Sequence, residues 1–300
     1  MIGVDLGGTA IKLGRYDASG QTLAFLETPT PRPQVPGAVT MAIAEVIEAI
    51  DADAEADAIG IGLPGPTDAA GRVARIAINL PGWREVPLAD WLEPRLGRPV
   101  VLANDGNCAL LGELWRGAAR QASDVVLLTL GTGVGGGVAL NGALFRGRSG
   151  AAAEPGLIGL DPEDGAPCSS GNRGSLESFC SLSGLARLSE RQPRELIEAA
   201  GRGEPEALEI WRRYGVRLGQ GLSTLVYLFT PELVLIGGGL SAACPFILPA
   251  AQAELEARVL AVSREGMRLA QAGLGNGAGA LGAARLALDH LAAMGEARLG

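Results

Sequence analysis

The chain has 300 residues, 47% of them apolar and 19% charged, so it is globular and long enough for two domains. Aromatic residues make up 4% while glycine reaches 45, a density that suggests backbone approaching ligands closely. A net charge of -8 without a Lys/Arg run excludes the electrostatic footprint of a nucleic-acid or anionic-membrane binder.

The chain opens directly into Ile2-Gly-Val-Asp5, with no basic-then-apolar leader, so no secretion signal is expected. A strand over 1–5 leads into a tight turn at Gly7-Gly8 and a second strand over 10–16. A turn at 17–20 and a third strand near 22–27 follow. Residues 28–37 carry four prolines and read as an exposed loop. Residues 38–50 have helical spacing, and 58–63 is a strand ending in Pro64-Gly65-Pro66. An irregular stretch with Asn79-Leu-Pro-Gly-Trp83 precedes a helix over 88–96. A buried strand over 99–103 hands over, through Asn104-Asp105, to a helix over 108–115.

At Asp124 the plan restarts, with a strand over 125–130, a glycine loop over 131–137 and a strand over 138–140. Asn141-Gly142 is a hairpin turn, and 143–145 a third strand. The recurrence reads as an internal duplication, one copy per domain. Residues 147–177 are glycine-rich and irregular, and helical patterns run to about 228. A strand over 233–236, a Gly237-Gly-Gly239 loop and Ser241, a candidate cap, introduce a helix ending near 262. A short strand near 267–271 and a helix over 278–293 close the chain.

The longest apolar region, 222–251, is cut by Pro231, Glu232, Pro245 and Pro249 and is not a membrane span. Cys108, Cys168, Cys180 and Cys244 show no framework spacing, so reduced thiols and a cytoplasmic location are expected. The single histidine, His290, lies in the last helical pattern, where a structural role is expected.

Three glycine-rich loops carry the chemistry. Gly131-Thr-Gly-Val-Gly-Gly136 fits the dinucleotide fingerprint, but a strand follows it where the fingerprint needs a helix. A hairpin whose bare N–H groups face phosphate oxygens, with the Thr132 hydroxyl beside them, is one reading; a purely structural hairpin is the other. Asp5-Leu-Gly-Gly-Thr-Ala-Ile-Lys12 is the matching loop of the first half. Thr9 and Lys12 suit phosphate there, and Asp5 suits Mg²⁺, which needs few protein oxygens. Gly237-Gly-Gly239 sits where a nucleotide can lie across a helix start. Asp105 stands beyond the carboxyl end of a strand, where α/β sheets bind ligands. It reads either as a base for a bound hydroxyl or as a plain helix N-cap.

Asp5-Leu-Gly-Gly-Thr9, Gly62-Leu-Pro-Gly65, Asn79-Leu-Pro-Gly-Trp83, Asn104-Asp105, Leu130-Gly-Thr-Gly-Val-Gly-Gly-Gly137 and Leu235-Ile-Gly-Gly-Gly239 occur in the order of the ROK family. The chain resembles that family, and its glucokinase branch most, over nearly its whole length. The resemblance implies an α/β, two-domain actin-like or hexokinase-type (ribonuclease H-like) fold with a cleft between the domains. The smaller domain is expected at 1–105 plus 282–300 and the larger at 106–281. The implied reaction is transfer of the γ-phosphate of ATP, with Mg²⁺, to the 6-hydroxyl of glucose or a related hexose. The resemblance makes Asp105 the base. Gly65, Asn79, Asn104, Glu154 and Glu177 would hold sugar hydroxyls. Asp5, Gly7, Gly8, Thr9, Lys12, Gly131, Thr132, Gly133, Gly237, Gly238 and Gly239 would handle phosphate, nucleotide and metal. Dimers are common among such proteins, so a homodimer is expected.

The chain departs from the family pattern at a structural zinc site. The four ligand positions are held by Leu157, Cys168, Ser170 and Ser175, and one soft ligand cannot build a closed site, so no zinc is expected. Leu157 also replaces a histidine that touches the sugar in relatives, which leaves the sugar open. Polyphosphate as donor, another sugar (N-acetylmannosamine, fructose or allose) and a non-catalytic sugar sensor are the alternatives. The family's repressors carry an N-terminal DNA-binding domain; for an acidic chain that opens on the first phosphate strand, a repressor is not expected.

Overall fold

Ile2–Leu6 (β1), Ala10–Tyr16 (β2) and Thr22–Pro29 (β3) form an antiparallel meander, and Pro36–Ile50 (α1) then leads to Ile59–Leu63 (β4). The structure, a computed structural model, describes residues 1–77, 80–163 and 165–297. Ala74–Ile76 (β5) and Arg84–Val86 (β6) make a small antiparallel ribbon, followed by Leu88–Leu96 (α2), Val100–Asn104 (β7) and Asp105–Arg116 (α3). The main sheet has the order β3-β2-β1-β4-β7, with β1, β4 and β7 parallel. Every residue of β4 is buried, as are Ile2, Gly3, Val4 and Leu6 of β1, which is why these strands read as apolar runs rather than alternating ones.

One cluster of buried side chains joins this sheet to α1 and α2 through Val39, Ile43, Ile47, Leu88 and Leu92. A second joins Val101 and Ala103 of β7 to Cys108 and Leu111 of α3 and to Ala283, Leu286 and Ala287 of the last helix.

The second half repeats the plan. Val125–Leu130 (β8), Val134–Leu140 (β9) and Ala143–Leu144 (β10) are followed by a single-turn 3-10 helix at Pro155–Leu157. Then come Leu176–Cys180 (α4), Leu182–Ala186 (α5), Pro193–Gly201 (α6), Pro205–Phe229 (α7), Leu233–Gly237 (β11), Cys244–Arg258 (α8), Arg268–Gln271 (β12) and Ala278–Ala297 (α9). The order β10-β9-β8-β11-β12 matches the first sheet strand for strand. β8 and β9 are antiparallel and β8, β11 and β12 parallel, so the duplication expected from the sequence is present in topology.

The chain divides into two units. One comprises Met1–Arg120, Leu144–Ala153 and the residues from Gly277 on; the other comprises Gln121–Ala143 and Glu154–Asn276. The sequence put the first boundary directly before α3. In the structure α3 stays with the first unit because it lies backbone to backbone on α9: a Cβ on Gly282 would stand 1.6 Å from the Cys108 carbonyl oxygen.

Three local expectations differ. β9 begins four residues before the expected 138, so Gly135 to Gly137 are strand rather than loop. Gly136 is small because a Cβ there would meet the Leu127 carbonyl oxygen at 2.1 Å and the Pro155 ring at 2.7 Å. Ser241 does not cap α8, whose preceding residue is Ala243. Its N–H turns back to the Gly238 carbonyl at 3.0 Å, and Pro245 pre-sets the start of the helix instead. The stretch expected to be irregular around 74–86 contains β5 and β6.

Candidate active site

In the first unit, Asp105 is the first residue of α3, directly beyond the carboxyl end of β7. It is not the cap. Asn104 takes that role, its Oδ1 accepting from Gly106 N–H at 2.8 Å and Asn107 N–H at 3.3 Å. The plain N-cap reading of Asp105 therefore falls away. Its carboxylate accepts a local bond from Gly106 N–H at 2.8 Å. Burial first, and then the charge of Asp5, raise its carboxyl from 3.8 to about 6, against the opposing pull of the Gly106 N–H. A carboxylate held there is a proton acceptor poised near neutrality.

Asp5 reaches the same place from β1, where it pairs with Gly62 on the parallel neighbour β4 and with Lys12 on the antiparallel neighbour β2. Burial raises its carboxyl too, and the Lys12 charge opposes that rise. The first turn of α9 lies on this carboxylate: a Cβ on Gly279 would come within 2.8 Å of Asp5 Oδ2. Helix N-termini favour negative charge, so α9 supports an anion at Asp5 that burial disfavours. Cys108, one turn into α3, packs under Gly62, whose Cβ would lie 3.1 Å from its Sγ. Its thiol is pushed well up by burial, so it is packing rather than a nucleophile.

The Gly7-Gly8-Thr9 turn closes with Gly7 N–H donating to the Ala10 carbonyl at 2.9 Å. Two residues that the sequence left in an exposed loop strap it down. Thr30, which is buried, donates its hydroxyl to the Gly7 carbonyl at 2.7 Å, and its N–H donates to the Thr9 carbonyl at 3.0 Å. The Gln34 side-chain amide donates to the Gly8 carbonyl. Thr28 and Arg32 are equally polar in the same proline-rich loop, so the sequence does not single these two out. Thr9 itself is exposed and Lys12 half-buried. Gly65 follows β4 with φ +134°, and a Cβ there would meet the Ile76 carbonyl oxygen at 2.1 Å, so no side chain fits. Asn79 lies outside the described residues. The first unit thus brings together Asp5, the Gly7–Thr9 turn, Lys12, Gly65, Asn104 and Asp105.

In the second unit the glycine hairpin is short. Gly131 N–H donates to the Gly133 carbonyl at 3.0 Å, and Thr132 is exposed at the tip. Glu177 of α4 grips its far side, its carboxylate accepting from Val134 N–H at 3.0 Å. The Gly237–Gly239 loop lies alongside. Gly237 pairs with Thr129 of β8, Gly238 takes φ +82°, and the Leu130 carbonyl accepts from Leu240 N–H at 3.0 Å. Glu154 precedes the 3-10 turn, which lies flat on β9: a Cβ on Gly156 would stand 1.9 Å from the Val134 carbonyl oxygen. Gly131, Thr132, Gly133, Glu154, Glu177 and the 237–239 loop thus share one neighbourhood of this unit.

The loop carrying Leu157, Cys168, Ser170 and Ser175 is held by backbone bonds. Leu160 and Asp161 N–H both donate to the Gly174 carbonyl, at 2.8 and 2.9 Å, and Gly174 N–H to the Ala166 carbonyl at 3.0 Å. Cys168 Sγ lies 3.1 Å from Ser170 Oγ, and Ser175 caps α4. Among the described residues no group of three or more His, Cys, Asp or Glu could by itself hold a metal ion. His290 lies half-buried on α9. No helix among the described residues is long and apolar enough to cross a membrane.

Known proteins share this fold. The model of the ROK family matches residues 1–290. The glucokinase of Halalkalibacterium halodurans is 35% identical over 306 aligned positions, covering 94% of this chain and 92% of that one. The N-acetyl-D-glucosamine kinase of Pectobacterium atrosepticum is 36% identical, covering 80% and 83%. A crystal structure of a ROK family glucokinase from Streptomyces griseus, in complex with glucose and AMPPNP, is 33% identical. It superposes with a TM-score of 0.83 over 96% of this chain and 99% of that one. The chain has the α/β fold of ROK glucokinases, its relatives are sugar kinases, and it belongs to the ROK family.

Proposed function

We propose that the chain is an ATP-dependent hexose kinase that phosphorylates the 6-hydroxyl of glucose or a related hexose. The observation that carries this reading is Asp105: a carboxyl raised to about 6, set at the start of α3 while its neighbour Asn104 does the capping. A sugar hydroxyl is a poor nucleophile, and one positioned carboxylate that accepts its proton contributes about 10²- to 10⁴-fold. The remainder of phosphoryl transfer is positioning and charge stabilisation.

In this reading Asn104, with its Oδ1 committed to the cap, offers its amide N–H groups to a sugar hydroxyl. Gly65, Asn79 and Glu154 complete the sugar contacts. Polar groups of this kind reject a sugar that lacks a hydroxyl, because a buried partner is then left unpaired. Lys12, Thr9 and the two glycine turns receive phosphate oxygens, and the 237–239 loop receives the nucleotide. A partly buried carboxylate such as Asp5 fits Mg²⁺, which keeps waters and takes its other oxygens from phosphates. Bound there, Mg²⁺ would supply charge neutralisation at the transferring phosphate. The chain is expected to act as a cytoplasmic homodimer.

Two measurements test this. The first is donor choice: ADP release with glucose is expected from Mg·ATP, and turnover with polyphosphate alone would move the donor assignment. The second is pH. Asp105 must be ionised to take a proton, so kcat/KM is expected to rise with pH and level off above about 6. A profile flat from pH 5 to about 8 would remove Asp105 from the role of base.

A further inference from the structure

Trp83 closes the Asn79-Leu-Pro-Gly-Trp83 stretch, and it is buried in the core of the first unit with Leu80, Val86 and Leu88. Its indole Nε1–H donates to the Gln34 carbonyl at 3.0 Å. A packed ring does not swing, so it fixes the backbone of Gln34 inside a proline-rich loop. From that anchor the Gln34 side-chain amide donates to the Gly8 carbonyl.

Thr30 holds the two flanking carbonyls. Its hydroxyl donates to Gly7 at 2.7 Å, and its N–H donates to Thr9 at 3.0 Å. All three carbonyls of the turn are therefore bound from residues 30–34. The peptide bonds of the turn are trans, so each carbonyl points away from the N–H of the next residue. Holding the Gly7 and Gly8 carbonyls turns the Gly8 and Thr9 N–H groups away from the 30–34 loop. Among the described residues neither N–H donates to a protein acceptor. Successive N–H groups of this kind make a cradle for an anion.

The middle peptide, between Gly8 and Thr9, is the weak point. Its carbonyl is bound by Gln34, and nothing lies within 4 Å of a Cβ on Gly8, so packing does not hold it. Glycine permits that peptide to flip. A flip would withdraw the Thr9 N–H and aim a carbonyl oxygen at the phosphate instead.

We propose that Gln34 is a positioning residue for the phosphate turn: anchored by Trp83, it locks the Gly8–Thr9 peptide with its N–H toward a donor phosphate. The proposal rests on the kinase reading for the identity of the ligand, though not for the lock itself. It also ties the phosphate turn to the segment that carries Asn79.

The test uses the full chain with Gln34→Met, which keeps the length of the side chain and removes the donor. Mg·AMPPNP affinity by calorimetry is expected to fall about two- to tenfold, the worth of one neutral hydrogen bond, and KM for Mg·ATP to rise in parallel. Glucose affinity and melting temperature are expected to stay nearly unchanged, which a merely structural role would not produce. Trp83→Phe keeps a ring and loses the N–H, and is expected to weaken Mg·AMPPNP less. Added to Gln34→Met it is expected to cost no further nucleotide affinity, because the tryptophan acts through Gln34. Unchanged Mg·AMPPNP affinity in Gln34→Met, a glucose loss equal to the nucleotide loss, or losses that add in the double variant would each overturn the proposal. If the wild-type chain binds no Mg·AMPPNP, the kinase reading fails, and amide exchange at Thr30, whose N–H is held by the Thr9 carbonyl, decides the lock. Faster exchange there in Gln34→Met supports it, and equal exchange overturns it.

Discussion

Asp105→Asn is expected to lower kcat by about 10²- to 10⁴-fold while leaving sugar affinity nearly intact. The substitution keeps the shape of the side chain and an oxygen for the Gly106 N–H, and the Asn104 cap is untouched. Only the proton acceptor is lost. The same variant is expected to be more stable than wild type at pH 8. The folded state holds the Asp105 carboxyl at about 6, above its ordinary 3.8, so the ionised form is disfavoured by folding. An acid shifted upward in this way costs stability progressively as pH rises from about 4 to about 6, and the cost then stays constant. Asn carries no such cost. Allowing for solvent at a partly exposed site, the gain is of order 1–2 kcal/mol at pH 8 and vanishes near pH 4. Thermal melts of both proteins at the two pH values read this directly. Lost activity with an unchanged or raised melting temperature assigns Asp105 to the chemistry. Full turnover in Asp105→Asn would remove it from that role.

Gly282→Ala is expected to destabilise the first unit by about 3 kcal/mol or more. Alanine raises helix propensity by about 1 kcal/mol, so propensity alone predicts the opposite sign. Sterics decide, because the new Cβ would stand 1.6 Å from the Cys108 carbonyl oxygen and 2.7 Å from the Gly112 nitrogen, both backbone atoms that cannot swing aside. α3 and α9 must separate, and α3 carries Asp105 at its start, so activity is expected to fall with stability. Gly295→Ala, on the same helix with nothing within 4 Å of its Cβ, is the control and is expected to be neutral or slightly stabilising. A urea midpoint for Gly282→Ala equal to wild type would contradict the close approach of the two helices.

The repeated plan was legible because central parallel strands are buried on both faces and show as uninterrupted apolar runs, such as 59–63 and 233–236. Asn104-Asp105 was legible as a strand-to-helix handover. Which of the two caps the helix was not, because both side chains suit the position. The glycines of 131–137 were read as phosphate-facing. Part of their density has a packing cause invisible in sequence: Glu177 presses on Gly133 and Pro155 on Gly136, each from a segment distant in the chain. The straps on the first turn, Thr30 and Gln34, were hidden for the same reason. No periodicity marks a polar side chain that reaches back across 23 or 26 residues to a carbonyl. Membership of α3 in the first unit depends on glycine-to-backbone contact with a helix at the far end of the chain, which no local pattern reports.

The most direct test of the central claim is phosphate transfer from Mg·ATP to a panel of hexoses, read as ADP release and by phosphorus NMR of the product. The panel is glucose, mannose, fructose, allose, N-acetylglucosamine and N-acetylmannosamine. A zinc-selective chelator with excess Mg²⁺ separates the two metals. The expected result is a 6-phosphate of glucose or a close relative, formed at a rate insensitive to the chelator. Sugar binding without transfer to any of the six, from ATP or from polyphosphate, would contradict the kinase reading and leave a sugar-binding protein.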